Sequence, residues 1–352
     1  MSSLPYLHVA DFFVKYSGVT TFLTNSLLIY LTCTKIKTIY LTYKCLIVLM
    51  ALLGIIFSLI ENIAHPFTHS YNESFIYFTG LRTAMSLELG IVLLSCYSAV
   101  YMSVICCLAV QFLYRYLALL SPKHLRIFTG WNLVLWFFYS VFCVVFWIIS
   151  LHKLLPDQYS TRFLNNEMKR QYGFDVSKVA SFQLVAFDAN GGLQMTNLLG
   201  LLSVTMFLVI QYIVIFYFGL KTHAGIKSKL AVTSTKTHKQ HRQLFKTLVL
   251  QVTVPSLFYN SPVFLMHLVP YFDLKFSFPS GVMVCVFSLY PATDSFILMW
   301  MVREYRRVLK QEASSTLNKI LKWIDDRQIE PSTTTEERHN SYNVPETKRG
   351  DF

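Results

Sequence analysis

Seven stretches of about twenty mostly apolar residues dominate this chain: Tyr16 to Thr34, Cys45 to Ile63, Leu87 to Leu108, Trp131 to Ile149, Thr196 to Leu220, Thr247 to Val269 and Phe278 to Val302. An α-helix rises about 1.5 Å per residue, so a helix of that length spans the roughly 30 Å of hydrocarbon in a bilayer. A soluble core would need short periodic stripes with polar faces between them instead. The composition agrees: of 352 residues, 54% are hydrophobic and only 14% charged, far from soluble averages. The sequence therefore predicts an all-α integral membrane protein, a bundle of seven transmembrane helices within residues 1–307. A polar tail over 308–352, rich in Ser, Thr and charge from Pro331 onward, is expected to be disordered toward its end. The residues ahead of the first block lack a basic leader, and the block is too long for a signal-peptide core, so it reads as an uncleaved first helix.

Basic residues in short loops stay on the cytoplasmic side, and here they are one-sided. Loop 1-2 carries Lys35, Lys37 and Lys44, and loop 3-4 carries Arg115, Lys123 and Arg126. Loop 5-6 carries Lys221, Lys227, Lys229, Lys236, Lys239, Arg242 and Lys246 with no acidic residue. The alternate loops balance their charges: Arg82 with Glu73, Lys275 with Asp273, and in loop 4-5 five basic against four acidic residues. The N-terminus is thus expected outside and the C-terminus in the cytoplasm, behind Arg303, Arg306, Arg307 and Lys310. The sequon Asn72-Glu73-Ser74 in an outer loop is a candidate glycosylation site at Asn72.

Orientation explains the net charge of +12 without nucleic acid as a partner. The seven cysteines lie in or beside apolar blocks without metal-ligand spacing, so buried free thiols are expected and no metal. No nucleophile with its base and no phosphate-cradling glycine loop stands out, so neither an enzyme nor a cofactor is expected. The last block has no lysine between Phe278 and Val302, which removes the attachment point for a retinal Schiff base.

Specific residues go further than the architecture. Asn25-Ser26-Leu27-Leu28-Ile29-Tyr30 in helix 1, Tyr43-Lys44 before helix 2 and Gln111-Phe112-Leu113-Tyr114-Arg115-Tyr116-Leu117-Ala118-Leu119 at the inner end of helix 3 form one set. Gln251, Pro255 and Pro262 in helix 6, then Tyr290-Pro291, Asp294 and Arg303-Glu304-Tyr305-Arg306, complete it. Over residues 12 to 307 the chain resembles the nematode seven-transmembrane chemoreceptors of the Str type, which include the nematode olfactory receptor for diacetyl. It departs from them at Leu41, where a glycine is expected, and at Ser295, where members usually carry proline. The resemblance implies an olfactory G-protein-coupled receptor that binds a small extracellular ligand, such as a volatile odorant, and activates a heterotrimeric G protein. It also implies the plasma membrane, at the ciliary membrane of a sensory neuron. The competing reading is a ligand-gated cation channel or transporter of seven helices. Insect odorant receptors of that kind place the N-terminus inside, against the charge bias here, and no filter-like re-entrant segment is visible.

The resemblance assigns Tyr114, Arg115 and Tyr116, with Lys246 on helix 6, to G-protein coupling, against the plainer reading of Arg115 as a positive-inside anchor. Asp294 is costly in lipid and needs a partner in the bundle. Asn25 is the candidate, and with Gln251 and Pro291 it forms the expected activation switch. Pro255 and Pro262 each remove a helix hydrogen bond and offer a pivot, although membrane helices carry prolines for other reasons too. Glu61, His65, Glu88, His267 and Tyr271 fall near the outer ends of their helices, as ligand-site candidates or as residues hydrated at the membrane edge. Between Ser150 and Leu193 there is no cysteine, so loop 4-5 cannot be tied to helix 3 by a disulfide. Packing must hold it, and its length suggests a lid over the site.

Overall fold

The computed structural model describes residues 4–37, 39–80, 85–120, 122–229, 235–272 and 280–328. Its helices are α1 (Leu4–Tyr30), α2 (Leu41–Ala64), α3 (Leu87–Leu120), α4 (Leu133–His152), α5 (Gln158–Tyr172), α6 (Met195–Lys229), α7 (Thr235–Pro255), α8 (Ser261–Leu268), α9 (Ser280–Met301) and α10 (Arg303–Gln328). The chain divides into two compact units, Met1–Arg306 with the bundle and Arg307–Phe352. Seven passes make the bundle, the sixth formed by α7 and α8 together. Among the described residues, five helices are long and apolar enough by themselves to cross a bilayer: Leu41–Ala64, Leu87–Leu119, Gly130–His152, Met195–Gly225 and Met283–Met301. Asp11, Lys15 and a run of Thr and Asn dilute α1, and the sixth pass is interrupted.

The helices outrun their apolar blocks: α1 begins at Leu4 rather than Tyr16, α3 continues to Leu120, and α6 to Lys229. Hydropathy marks where hydrocarbon ends, whereas backbone hydrogen bonding carries on into the interface. The tail is helical as far as Gln328. The run Ser332 to Thr335 and the rest of the expected disordered segment lie outside the described residues, as do the side chains of Lys227, Lys229, Lys236 and Lys239.

In the sixth pass, Pro255 closes α7 and a π-turn follows over Ser256–Asn260. Its wide bond runs from the Ser261 N–H to the Ser256 carbonyl. Pro262 then stands in the first turn of α8, where its missing N–H costs nothing. Two prolines seven positions apart thus leave one expanded turn between two regular helices.

The outer loops contribute something that helix-length reasoning does not reveal. Strands β1 (Pro66–Tyr71) and β2 (Ser74–Thr79) form a hairpin, and β3 (Ser181–Val185) from loop 4-5 pairs antiparallel with β2. Asn72 takes φ 46° in the two-residue turn, a left-handed conformation that asparagine tolerates. Side chains alternate across the sheet. Ile76 and Phe78 pack on Leu164, Met168 and Tyr172 of α5 and on Val14 of α1. Phe75, with Phe182 and Leu184, faces the bundle and meets Leu94, Leu151, Leu201, Met266 and Met283. Loop 4-5 is therefore a lid, as expected, but one woven into loop 2-3. All seven cysteines are free, so the lid is held without a covalent tie.

His69 of β1 is buried on the α5 side of this lid. The Tyr172 hydroxyl lies 3.0 Å from its Nδ1, and Oε1 of Glu167, whose other oxygen pairs with Arg170 at 2.6 Å, lies 3.9 Å from its Nε2. Burial holds the imidazole down to about 4, more strongly than Glu167 pulls it back up. The opened lid therefore binds a proton more readily than the closed one between pH 6.5 and 4. Its stability is complete above that window and drains as pH falls through it, by about 2 kcal/mol at pH 5. With exchange compared to the intrinsic rate at each pH, acidification from pH 7 to 5 is expected to lower the protection of the amides across Pro66–Thr79, and His69→Phe to remove most of that loss. Hydrogen exchange read by mass spectrometry checks this, and equal pH dependence in both proteins would refute it.

Candidate functional site

Beneath the sheet lies a cavity of about 130 Å³. Pro66, Thr68, Phe75, Tyr77, Phe182 and Leu184 form its roof, and Tyr97, Ser98, Tyr101, Trp147, His267 and Phe287 much of its wall. Most of its polar groups are already committed. Tyr77 donates to the Leu94 carbonyl at 3.1 Å, Trp147 Nε1 to Ser98 Oγ at 2.5 Å, and Tyr97 to Glu61 Oε1 at 3.0 Å. Tyr101 donates to Asn260. Thr68 and His267 make no side-chain hydrogen bond to a described residue, and His267 meets Phe75 edge-on at 5.2 Å. An apolar chamber with two uncommitted polar groups suits a compact molecule with one polar function.

A chain of hydrogen bonds leaves the cavity floor. Tyr101 of α3 donates to Asn260, and Asn260 Nδ2 donates to Tyr212 of α6. Ser256 also donates to Tyr212, at 3.1 Å. Asn260 and Ser256 are the two ends of the π-turn. The wall of the cavity is thereby bonded to the one irregular turn of the sixth pass.

Of the five outer candidates, only His267 lines the cavity. Glu61 is fully buried one layer behind, reached through Tyr97, with Oε2 unpaired. His65 ends α2 in a left-handed conformation and its Nδ1 lies 2.9 Å from Asp11 Oδ1. Glu88 is exposed in the first turn of α3, where a carboxylate suits the helix N-terminus. Tyr271 packs against the cluster of Met266 and Met283 beside the chamber. Their positions near helix ends are as expected, but the sheet, which a helix count does not foresee, roofs the chamber with other side chains.

The inner half holds two polar clusters rather than the single Asn25–Asp294 pair expected. Asn25 donates to the Thr21 carbonyl at 2.8 Å and to the Pro291 carbonyl at 3.3 Å, and accepts from Ser295 Oγ at 2.6 Å. The residue that departs from the family's proline thus supplies the hydroxyl that fixes Asn25. Gly54 of α2 completes this junction: a Cβ there would stand 3.0 Å from Pro291 Cβ and 3.3 Å from Asn25 Oδ1. Asp294, one position away on α9, faces Gln251 of α7 instead. Its Oδ1 and Gln251 Oε1 are buried without partners.

Arg115 does not reach the cytoplasmic interface as an anchor would. It is 5% exposed, and its guanidinium carbon lies 3.4 Å from the centroid of the Tyr43 ring. Nε and one terminal nitrogen have no hydrogen-bond partner. Tyr43 stacks on Tyr114 at 5.6 Å, and Tyr114 meets Phe128 edge-on at 5.2 Å. Tyr116 packs on Phe218 at 5.2 Å, while Lys246 is exposed on α7. The arginine is thus held by an aromatic ring rather than a carboxylate. Tyr97, Tyr101, Tyr212 and Asn260 carry no signal in the sequence beyond being polar groups inside apolar blocks, where such groups must face the bundle.

Residues 10–310 match the model of the family described as serpentine-type seven-transmembrane G-protein-coupled chemoreceptors, Str. The chain belongs to this family. It is 39% identical over 306 residues to "G-protein coupled receptor str-33" of Caenorhabditis elegans, covering 84% of this chain and 88% of that one. It is 30% identical over 298 residues to "Serpentine receptor class r-10" of the same species, covering 83% and 87%. Squid rhodopsin shares the fold at TM-score 0.60 and 13% identity, covering 88% of this chain and 86% of that one. The receptor is therefore a chemosensory G-protein-coupled receptor embedded in a membrane, and the channel reading is set aside. Such receptors take a small ligand and a G protein. The Asn25 junction yields a stability test: Ser295→Ala leaves a buried acceptor unpaired and should cost about 1 kcal/mol. Thermal unfolding of the purified receptor reads this as a lowered midpoint, and an unchanged midpoint would count against the junction.

Proposed function

We propose that this receptor detects a volatile odorant of roughly benzene size in the chamber under the sheet, with His267 and Thr68 making the polar contacts. The volume carries the reading: about 130 Å³ is comparable with the roughly 150 Å³ apolar cavity that holds benzene in another protein. A molecule so small and largely apolar is volatile as a rule. Its arrival presses on Tyr101, and through Asn260 and Tyr212 shifts the balance of the π-turn between its present form and a straighter one. Movement of α7 about Pro255 and Pro262 then opens the inner end, with Gln251, Asp294 and Pro291 repacking in the core. Arg115 leaves Tyr43 and, with Tyr114, Tyr116 and Lys246, meets the G protein. The ligand drives this only by its preference for the second arrangement. We assign the receptor to the ciliary plasma membrane of a sensory neuron, where odorants arrive, and Asn72 to glycosylation on the outer hairpin.

Expression with a G-protein reporter and a panel of small volatiles tests the site. His267→Ala and Thr68→Val should each raise the half-effective concentration of an active odorant about tenfold, the loss of one hydrogen bond to the ligand. Glu88→Gln should leave it unchanged. Full potency in both cavity variants would refute the assignment.

The inner switch has its own test. A desolvated cation–π contact contributes about 2 kcal/mol, so Tyr43→Ala should raise ligand-independent signalling up to about thirtyfold, provided the starting active fraction is small. Tyr43→Phe keeps the ring and should stay near the native level, and Arg115→Ala should abolish the response. A silent Tyr43→Ala receptor at normal surface density would overturn the Tyr43 restraint.

A further inference from the structure

We propose that Cys106 of α3 and Cys143 of α4 form a thiol pair that a hydroperoxide oxidises to a disulfide joining the two helices inside the membrane. Of the seven free cysteines, these two lie in one buried cluster with Met102, Trp147 and Val204. The Cys106 thiol donates a hydrogen bond to Cys143 Sγ. α3 and α4 run in opposite directions, and Trp147 Nε1 bonds to Ser98 Oγ farther out. Cys143 therefore lies one turn inward of Trp147, on the side where Cys106 lies inward of Ser98. Cys107, next in sequence, turns to another face of α3, where it accepts from Gln111 of its own helix at 3.8 Å.

Buried thiols are ordinarily inert, and one observation separates this pair from that default. Gln211 of α6 is itself buried, with its Nε2 donating to Cys143 Sγ at 3.7 Å and its Oε1 accepting from the Tyr139 hydroxyl at 2.5 Å. A carboxamide is costly to place inside a membrane-spanning bundle, and here one of its two ends is given to a sulfur. Together with the Cys106 thiol it makes two donors converging on Cys143 Sγ. Such an arrangement favours negative charge as it develops on that sulfur. Cys143 is accordingly the attacking thiol and Cys106 the resolving one.

One hydroperoxide, ROOH, serves each pair. Cys143 Sγ attacks the terminal oxygen, the O–O bond breaks, and the thiol proton leaves with the other oxygen as ROH, so that Cys143 becomes a sulfenic acid. Cys106 Sγ then attacks Cys143 Sγ. The S–S bond forms as the S–O bond breaks, and the hydroxyl departs with the Cys106 proton as water. Two electrons pass from the sulfurs to the O–O bond, and two thiols with ROOH become a disulfide, ROH and water. A neutral oxidant needs no charged path into the bundle. The bond would fix α3 against α4 just inward of Tyr101 and Trp147, both in the wall of the chamber under the sheet.

Linkage is read directly, without signalling. Purified receptor in phosphatidylcholine nanodiscs is treated with a small excess of hydroperoxide, alkylated under denaturing conditions and digested without reductant, and linked peptides are identified by mass spectrometry. Parallel arms use hydrogen peroxide, which arrives from water, and cumene hydroperoxide, which partitions into hydrocarbon, and the faster arm identifies the source. A peptide bearing Cys106 should be joined to one bearing Cys143 and be freed by dithiothreitol. Because Cys107 shares the first peptide, Cys107→Ser is the control, and the link should persist in it. Cys106→Ser should abolish the link and leave Cys143 as a sulfenic acid that dimedone captures. Gln211→Leu should slow linkage about tenfold, as expected for loss of one hydrogen bond to a charged sulfur. Loss of the link in Cys107→Ser, linkage among the cysteines at random, or thiols that all stay reduced in treated, folded receptor would each overturn the proposal. Should Cys106→Ser or Gln211→Leu fail to elute as a folded receptor, the native and Cys107→Ser proteins decide the matter alone.

Discussion

Inside hydrocarbon no water stands ready to replace a broken hydrogen bond, and the irregular turns of this bundle are where side chains reach across between helices. Pro291 brings no N–H to the ladder of α9, and Asn25 of α1 donates to the Pro291 carbonyl. Asn25 in turn needs a donor, which Ser295 supplies. The π-turn of the sixth pass is closed by its own wide bond and braced by Tyr101, Tyr212, Ser256 and Asn260. The places where regular helix fails are therefore where the helices are tied together. A Cβ added to Gly54 would stand only 3.0 Å from Pro291 Cβ, which shows how closely α1, α2 and α9 approach to make one such tie possible.

The groups left unanswered are as informative. Arg115, Asp294 and Gln251 each keep a buried polar atom without a partner, and all three lie in the inner half. In the outer half Ser58 Oγ, Ser95 Oγ, His69 Nε2, the Tyr271 hydroxyl and the second oxygen of Glu61 are likewise buried without a partner. A buried cation over an aromatic face is held less firmly than one clasped by a carboxylate.

Length, hydropathy and the placement of Lys and Arg made the seven passes and their direction legible in the sequence, and the helix 3 and helix 7 residues made the family legible. Asp294 was recognisable as a member of a polar interior because lipid penalises such a group anywhere else, and the resemblance pointed to Asn25, Pro291 and Gln251. Which partner each takes was not, since pairing depends on helix rotation: Asp294 and Ser295 are neighbours in sequence yet face α7 and α1 respectively. The cavity residues were the least legible. His267 was found from its depth, but Thr68, Tyr97 and Tyr101 are ordinary residues until a sheet joins two loops that are about a hundred positions apart. A hairpin of six-residue strands also has no signature that a search for twenty-residue apolar runs would register.

The strand order of that sheet has a kinetic meaning. β2 lies in the middle, bonded on one side to β1 from its own loop and on the other to β3, so β3 is an edge that can peel away while the hairpin persists. Opening at an edge proceeds by local unfolding, whose free energy is well below that of the whole bundle. On the proposed assignment of the chamber, a molecule held under the sheet leaves as this edge frays, so the duration of a response follows the cohesion of five residues of backbone pairing as well as the affinity of the chamber. Loop 4-5 would then act as a timer, its solvent face bearing on how long a signal lasts rather than on which ligand evokes it.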